Sequence, residues 1–342
     1  MRERSSTEDS PAALDRLAVS SLRHWNLQAK EVRLIKMREN AVYRVVDTSD
    51  RSFAMRIHHD GNHSDDALRS ELQWMAALRD DGFEVPNIVP TMGGSLFIRS
   101  PMEGSDSSRQ VDLFEWIDGR QLGTSNSGLA GDLSDTECTY RTLGSLMARL
   151  HSQAVAWTVP SGFERQRWDM RGLVGEQPLW GRFWDLAALS ARQREILLRA
   201  RDQVRRELES MTGSADAAQY FSLIHADFVP ENLLISREGQ VRLLDFDDAG
   251  FGWHMFDIAT ALYFIQRDPQ FAAAKAGLIA GYRSHRSLSD SQLAKLPVFM
   301  AARGFTYLGW VHTRPASKDG QEITPYLIQL ACQQADRLLK ET

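Results

Sequence analysis

The sequence predicts an α+β, bilobal chain with a β-rich N-terminal lobe and a mostly helical C-terminal lobe. Three observations predict it. At 342 residues the chain exceeds what one typical core serves, so two lobes are expected. Short strand-like runs bounded by turn residues crowd into the first 118 residues. Beyond "DGRQLG" apolar residues recur at helical spacing, broken only by three short extended runs around residues 222–246. The expected boundaries are a disordered tail over 1–10, one lobe over 11–118 and a second over 119–342.

The elements follow in order. "SPAALDRLAVSSLRHW" has a helical period, with Ser10 as N-cap and Leu14, Leu17 and Leu22 near one face. "VRLIKM", "AVYRVVDT" and "SFAMRIHH" read as strands, the last two joined by a tight turn at Ser49–Asp50. A helix is expected from about Ser64 to Leu78, then extended runs at "SLFIRS" and "QVDLFEWI" around a hairpin tip, "PMEGSDSSR". In "TYRTLGSLMARLHSQ", Leu143, Leu146, Met147 and Leu150 share helical spacing, and residues 180–210, 254–284 and 290–340 also read as helical. "SLIHADF", "NLLIS" and "VRLLDF" are the three exceptions.

Composition excludes some functions. The chain has 45 Asp and Glu against 40 Lys and Arg, a net charge of −5, and lacks the basic excess that nucleic acid or an anionic membrane requires. Neither is expected as a partner. No apolar run approaches the ~18 residues of a membrane span, and "MRERSSTEDSP" is too polar for a secretory signal. Cys138 and Cys332 form no metal-type cluster and read as free thiols of a reducing, cytoplasmic compartment. Nothing in the pattern marks an oligomeric state.

The chemistry concentrates in "HADFVPENLLISREGQVRLLDFDDAG", His225 to Gly250. Between Asn232 and Asp245 the chain runs out along "LLIS", turns at "REGQ" and returns along "VRLL", symmetric about the point between Glu238 and Gly239. In that register Asn232 and Asp245 stand opposite each other, with facing Cα atoms about 4.5–5.5 Å apart. An amide oxygen and a carboxylate aimed into one small volume suit Mg²⁺. Asp227 lies five residues before Asn232, on a loop short enough to keep it at the same mouth, where a carboxylate can take a proton from an attacking hydroxyl. Phosphoryl transfer needs this arrangement, since its chemistry is mostly positioning and charge neutralisation. A lone H-x-D or an acidic run is usually a solvated loop; the joint pattern is far more specific.

At this point the sequence resembles the protein-kinase-like phosphotransferases of the aminoglycoside phosphotransferase, choline kinase and type II homoserine kinase group, including bacterial stress-response kinases. Their H-G-D-x₄-N loop is matched by "HADFVPEN", with Ala226 at the glycine position. Their I-D-[WF]-x-x-A is matched by "LDFDDAG", followed by "FGWHMFDIATAL". The resemblance spans about residues 12–335. It implies a kinase-like bilobal fold, ATP and Mg²⁺ as cofactors, Asp227 as catalytic base, and Asn232 and Asp245 as Mg²⁺ ligands. Asp247 is implied for a second metal or its water shell. Residues 11–118 would then be the nucleotide-binding lobe, and 119–342 the catalytic and substrate-binding lobe.

The first lobe offers an independent check. Glu71 has Ala67, Leu68, Trp74, Met75 and Leu78 as its helical neighbours, and a carboxylate on that apolar face needs a partner. Arg56 is the natural one, either as a structural ion pair or, where kinases carry a lysine, holding phosphate and carboxylate through its fork. "KMRENAVYRV" resembles the family's glycine-free phosphate loop, which implies Asn40 near the phosphates. "DLFEWI" resembles the adenine-pairing connector, making Glu115 to Ile117 candidates; a plain edge strand fits the same residues.

His151 and His225 read as structural, Asp257 as orienting the catalytic loop. Trp168, Trp180, Trp184, Trp253 and Trp310 read first as core and second as pocket wall. The expected function is ATP- and Mg²⁺-dependent transfer of the γ-phosphate to a hydroxyl of a small molecule: an amino alcohol, amino acid, sugar or aminoglycoside-like acceptor. One alternative is a stress-response-type protein Ser/Thr kinase, against which Val229 stands where protein kinases commonly carry lysine. Others are a non-catalytic nucleotide-binding module, supported by Arg56 and the glycine-free loop, and more distantly a metal hydrolase.

Overall fold

The computed structural model describes residues 10–37, 40–61, 63–124, 128–129, 133–214 and 216–341, so nearly all of the expected tail lies outside the described residues. The chain forms two compact units, residues 1–119 with 159–164, and residues 120–158 with 165–342.

In the first unit, Pro11 opens helix α1 (Pro11–Ser21) and the Ser10 side chain caps it by accepting from the Ala13 N–H. Five antiparallel strands follow: β1 (Ala29–Met37), β2 (Asn40–Asp47), β3 (Ser52–His58), β4 (Phe97–Pro101) and β5 (Ser108–Glu115), in spatial order β1-β2-β3-β5-β4. Alternation on β3 sends Phe53, Met55 and Ile57 into a core shared with Leu14, Leu17, Leu22 and Trp25. Each such side chain contributes roughly 1.5–3 kcal/mol on burial. Arg56 points to the opposite face, where it meets helix α2 (Asp65–Asp80), capped by Ser64. Strand β5 pairs with both β3 and β4, so "DLFEWI" leaves the sheet interior and is no edge strand.

The second unit holds β6 (Arg120–Gln121), β7 (Gly123–Thr124), β8 (Gly128–Leu129), β9 (Arg167–Trp168), β10 (Phe221–Ile224), β11 (Leu233–Ile235), β12 (Val241–Leu243) and β13 (Gly250–Trp253). Its helices are α3 (Leu133–Ala156), α4 (Met170–Val174), α5 (Ala191–Thr212), α6 (Ala217–Tyr220), α7 (His254–Tyr263), α8 (Phe271–Arg283), α9 (Asp290–Leu293), α10 (Leu296–Thr313) and α11 (Lys318–Lys340). Leu143, Met147 and Leu150 of α3 are fully buried, as their spacing predicts. The helix expected from residue 180 begins only at Ala191. Ser190 closes a capping box with Gln193, and before it the chain takes a left-handed turn at Gly181 and a 3-10 turn over Phe183–Asp185. Among the described residues, no helix is long and apolar enough to cross a membrane.

The hairpin carrying the acidic residues forms, one register step from the expected pairing. Leu233 faces Leu243 and Ile235 faces Val241, which centres the hairpin on Glu238. A three-residue loop with Gly239 at φ +79° stands where the turn is expected at "REGQ", as in hairpins with a left-handed glycine at the third loop position. Asn232 therefore sits opposite Leu244, whose N–H donates to its carbonyl at 2.9 Å, and Asp245 lies one residue beyond.

Candidate active site

Strand β10 ends at Ile224, and the chain then turns sharply through Ala226, which occupies the left-handed region at φ +63°. A side chain there is strained. The turn is held by Asp257 of α7, which accepts from the N–H groups of His225 (3.0 Å) and Ala226 (2.7 Å). Burial pushes the Asp257 carboxyl up to about 6, although nearby His225 and the two amides oppose the shift. His151 Nε2 also reaches Asp257 at 3.0 Å, and its Nδ1 lies 3.0 Å from the Tyr282 hydroxyl. Burial holds His151 well below its ordinary value and hence neutral, so Tyr282 donates to Nδ1 and the Nε2–H donates to Asp257. His225, pushed down to about 4 by burial, ties the loop to the end of the hairpin: Nε2–H donates to Leu244 O at 2.9 Å and Nδ1 accepts from the Asp227 N–H at 3.2 Å. Both histidines and Asp257 brace the loop, as their sequence setting suggests.

The braced loop presents Asp227, with each carboxylate oxygen engaged. Asn232 Nδ2 donates to Oδ2 at 2.7 Å and to the Asp227 carbonyl at 3.1 Å, which turns the Asn232 amide oxygen away from the carboxylate. Arg303 Nη2 donates to Oδ1 at 2.7 Å. Asp227 keeps a side-chain exposure of 20%, whereas Arg303 has none. Arg303 comes from α10 and lies against Tyr307 (4.2 Å to the ring centre), Trp180 (5.1 Å) and Phe256 (5.4 Å). Burial works against its charge, but Tyr307, Asp227 and Asp248 hold the guanidinium protonated above the ordinary arginine range.

Beyond the hairpin, Asp245 also adopts a left-handed conformation, φ +63°, and opens the turn through Phe246, Asp247 and Asp248. Three side chains clamp that turn by its carbonyls. Arg165 donates to the carbonyls of Phe246, Asp247 and Ala249, Gln166 to Asp248 O at 2.7 Å, and Trp168 Nε1 to the same oxygen at 2.8 Å. Among the described residues, no group of three or more His, Cys, Asp or Glu side chains forms an all-protein metal cage. Mg²⁺ rarely uses one: it takes one or two carboxylates and completes its shell with water and substrate phosphate. An amide oxygen from Asn232 and carboxylates from Asp245 and Asp247 are a hard-oxygen donor set of that kind.

In the first unit the expected pair forms: Arg56 Nη2 lies 2.8 Å from Glu71 Oε1, with both side chains buried. A second carboxylate joins it. Asp112 of β5 takes two bonds from Arg56, from Nε at 3.1 Å and Nη2 at 2.7 Å, and lies 3.1 Å from His58 Nε2. Burial pushes the Asp112 carboxyl up, but Arg56 and then His58 outweigh it and hold it below the usual range. Asn40 opens β2, buried and paired across to His58; Arg38 and Glu39 of the same loop lie outside the described residues. Glu115 is exposed at the end of β5 and Ile117 half-buried just after it.

The chain as a whole is similar to known proteins. Residues 31–288 match the family model described as the phosphotransferase enzyme family. The chain belongs to that family. It is similar to the amicoumacin kinase of Bacillus subtilis, 23% identical with 84% of this chain and 82% of that protein covered. With a homoserine kinase of Rhizobium johnstonii it is 25% identical, over 66% of this chain and 62% of that protein. Among solved structures, a microcompartment-associated aminopropanol kinase is 32% identical with a TM-score of 0.82, covering 95% of this chain and 98% of its own. The phosphotransferase is thus a kinase-type enzyme with the protein-kinase-like α+β fold of this family.

Sequence reading of this phosphotransferase missed Arg303, Asp112 and the Arg165 clamp. Arg303 did carry a signal. It is the lone cation in "LPVFMAARGFTYLGW", an otherwise apolar or neutral helical run, and like Glu71 a charge on such a face needs a partner. Asp112 sits inside the apolar strand "VDLF" with the same signal. Of the tryptophans, Trp168, Trp184 and Trp253 are core, whereas half-buried Trp180 covers Arg303.

Proposed function

We propose that this phosphotransferase moves the γ-phosphoryl group of ATP to the hydroxyl of a small amino alcohol, with Asp227 as general base. The observation that carries this reading is the Asp227 carboxylate, fixed at Oδ1 by Arg303 and at Oδ2 by Asn232 yet still 20% exposed. A carboxylate offers about four lone-pair directions, and the exposed part of this one is where an acceptor hydroxyl can approach. Asp227 orients that hydroxyl and takes its proton as the oxygen attacks phosphorus. Asn232 and Asp245 hold Mg²⁺, with Asp247 in the second position or its water shell. Bound there, the cation neutralises phosphate charge. Arg56, set by Glu71, and Asn40 face the phosphates, and Glu115 and Ile117 offer backbone groups to adenine.

The choice of acceptor draws on relatives: aminopropanol and homoserine are both alcohols that carry an amine. The test is ADP release with Mg·ATP over amino alcohols, sugars and aminoglycosides, for the native chain and Asp227→Ala. Turnover with amino alcohols is expected, falling on the order of 10³-fold or more in the variant while ATP binding by calorimetry persists. Undiminished turnover by Asp227→Ala would sink the base assignment. Activity confined to sugars would sink the acceptor class.

A further inference from the structure

We infer that Arg303 is the positioning residue of this active site, aiming the Asp227 carboxylate from inside an aromatic cage. The inference rests on the assignment of Asp227 as base.

Burying a guanidinium completely is expensive, and only one of its nitrogens is well used. Nη2 donates to Asp227 Oδ1 and to the Tyr307 hydroxyl, both at 2.7 Å. Nε and Nη1 are buried without a hydrogen-bond partner among the described residues. Each such orphan costs on the order of 1–3 kcal/mol. An apolar side chain of similar volume would fill the site without that penalty, so packing alone does not call for arginine here. What arginine alone supplies is a fixed positive donor at Oδ1.

The surroundings are built to hold a cation still. Proteins that bind an external cation place aromatic faces around it; here three faces surround the protein's own guanidinium. The cage is braced in turn. Trp168 packs edge-on against Trp180 and stacks on Phe256, with ring centres 5.6 and 5.4 Å apart, and Tyr307 is backed by Phe264 at 4.7 Å. Gly309 lets the Trp180 segment approach α10: an added Cβ would fall 2.7 Å from Gly181 O and 2.8 Å from Trp180 O. Asn232 fixes one carboxylate oxygen from the hairpin and Arg303 fixes the other from α10, so the plane of the base is set from two independent elements.

Emptying the cage leaves a cation-sized hole beside the base, which makes the test specific. Arg303→Ala and Arg303→Met are each expected to lower kcat about 10²-fold, with the KM for ATP changed less than about 3-fold, since misplacing a reacting group acts on the chemical step. Millimolar methylguanidinium should recover about 10-fold of the loss in Arg303→Ala and none in Arg303→Met, whose side chain fills the hole. Arg303→Lys keeps the charge without the fork and should fall between. Asp227→Ala combined with Arg303→Ala should be no slower than Asp227→Ala alone. Melting curves identify folded variants, and Arg303→Met and Arg303→Lys carry the test if the alanine variant does not fold. Near-normal kcat in Arg303→Met beside an inactive Asp227→Ala overturns the inference alone, as does a fully additive double variant. An active Asp227→Ala overturns the base assignment first, and the inference with it.

Discussion

Two arginines of this phosphotransferase are both buried and are held in opposite ways. Arg56 is 7% exposed and gives its fork to carboxylates, two bonds to Asp112 and a third contact to Glu71. Arg303 is 0% exposed, meets one carboxylate and the Tyr307 hydroxyl through one nitrogen, and otherwise sees ring faces. The first arrangement joins β3, β5 and α2 of one unit by charge and hydrogen bonding. The second sets the guanidinium beside a carboxylate that solvent can still reach. A buried arginine with surplus carboxylates is a fastener; one with surplus rings is a tool for aiming the carboxylate it touches.

The largest expected effect tests that contrast directly. Arg56→Met strips the arginine from two fully buried carboxylates, Asp112 and Glu71, and should cost about 3–5 kcal/mol by urea denaturation. Arg303→Met takes one donor from a partly exposed carboxylate that keeps Asn232, and removes two unpaired donors, so its stability loss should stay near ~1 kcal/mol while its kcat falls. Equal stability losses in the two variants would erase the distinction.

A third buried acid sharpens the comparison through pH. Asp112 has arginine beside it and is held below the usual carboxylate range; Asp257 has a neutral histidine and two backbone amides and is pushed up to about 6. The signs therefore differ. For Asp112, the folded value lies below the unfolded one, so its contribution is present at neutral pH and lost on acidification. For Asp257, the folded value lies above the unfolded one, so its contribution is full in acid and lost as pH rises through about 6. The stability difference between the native chain and Asp257→Asn should accordingly be larger at pH 5 than at pH 7, by about 1–2 kcal/mol. A difference that is flat, or larger at pH 7, would show that the carboxyl is not raised. His225, pushed down to about 4, works the other way in both proteins, since its neutral form is lost as pH falls from the ordinary histidine range.

What could be read from sequence follows the same division. Alternation and helical period reach the sheet, α2 and the Arg56–Glu71 pair because those depend on local spacing plus one electrostatic requirement. The joint pattern around Asp227, Asn232 and Asp245 is legible because 26 residues contain all of it. Arg303 lies 76 residues from Asp227, and Arg165 lies 81–84 residues before the carbonyls it clamps. Their partners are set by tertiary packing, which periodicity does not encode. The hairpin register slipped by one because Gly239 fits either loop length, and only the pairing of Leu233 with Leu243 decides between them.

The smallest effect concerns Ala226, which stands at the glycine position of the H-G-D-x₄-N loop that this sequence resembles. Ala226 is fully buried, sits at φ +63°, and holds that conformation because Asp257 accepts its N–H at 2.7 Å. A left-handed alanine is disfavoured by about 1–2 kcal/mol, while glycine loses about 0.4–1 kcal/mol more in ordering the unfolded chain. The difference predicts that Ala226→Gly gains about 0.5–1 kcal/mol in urea denaturation. Asp257 is the anchor that makes alanine tolerable, so the gain should grow when the anchor is weakened, in an Asp257→Asn background. A glycine variant less stable than the native chain in both backgrounds would mean that the alanine methyl packs well enough to outweigh its strained backbone. The brace from Asp257 would then hold an already favoured loop rather than enforce a strained one.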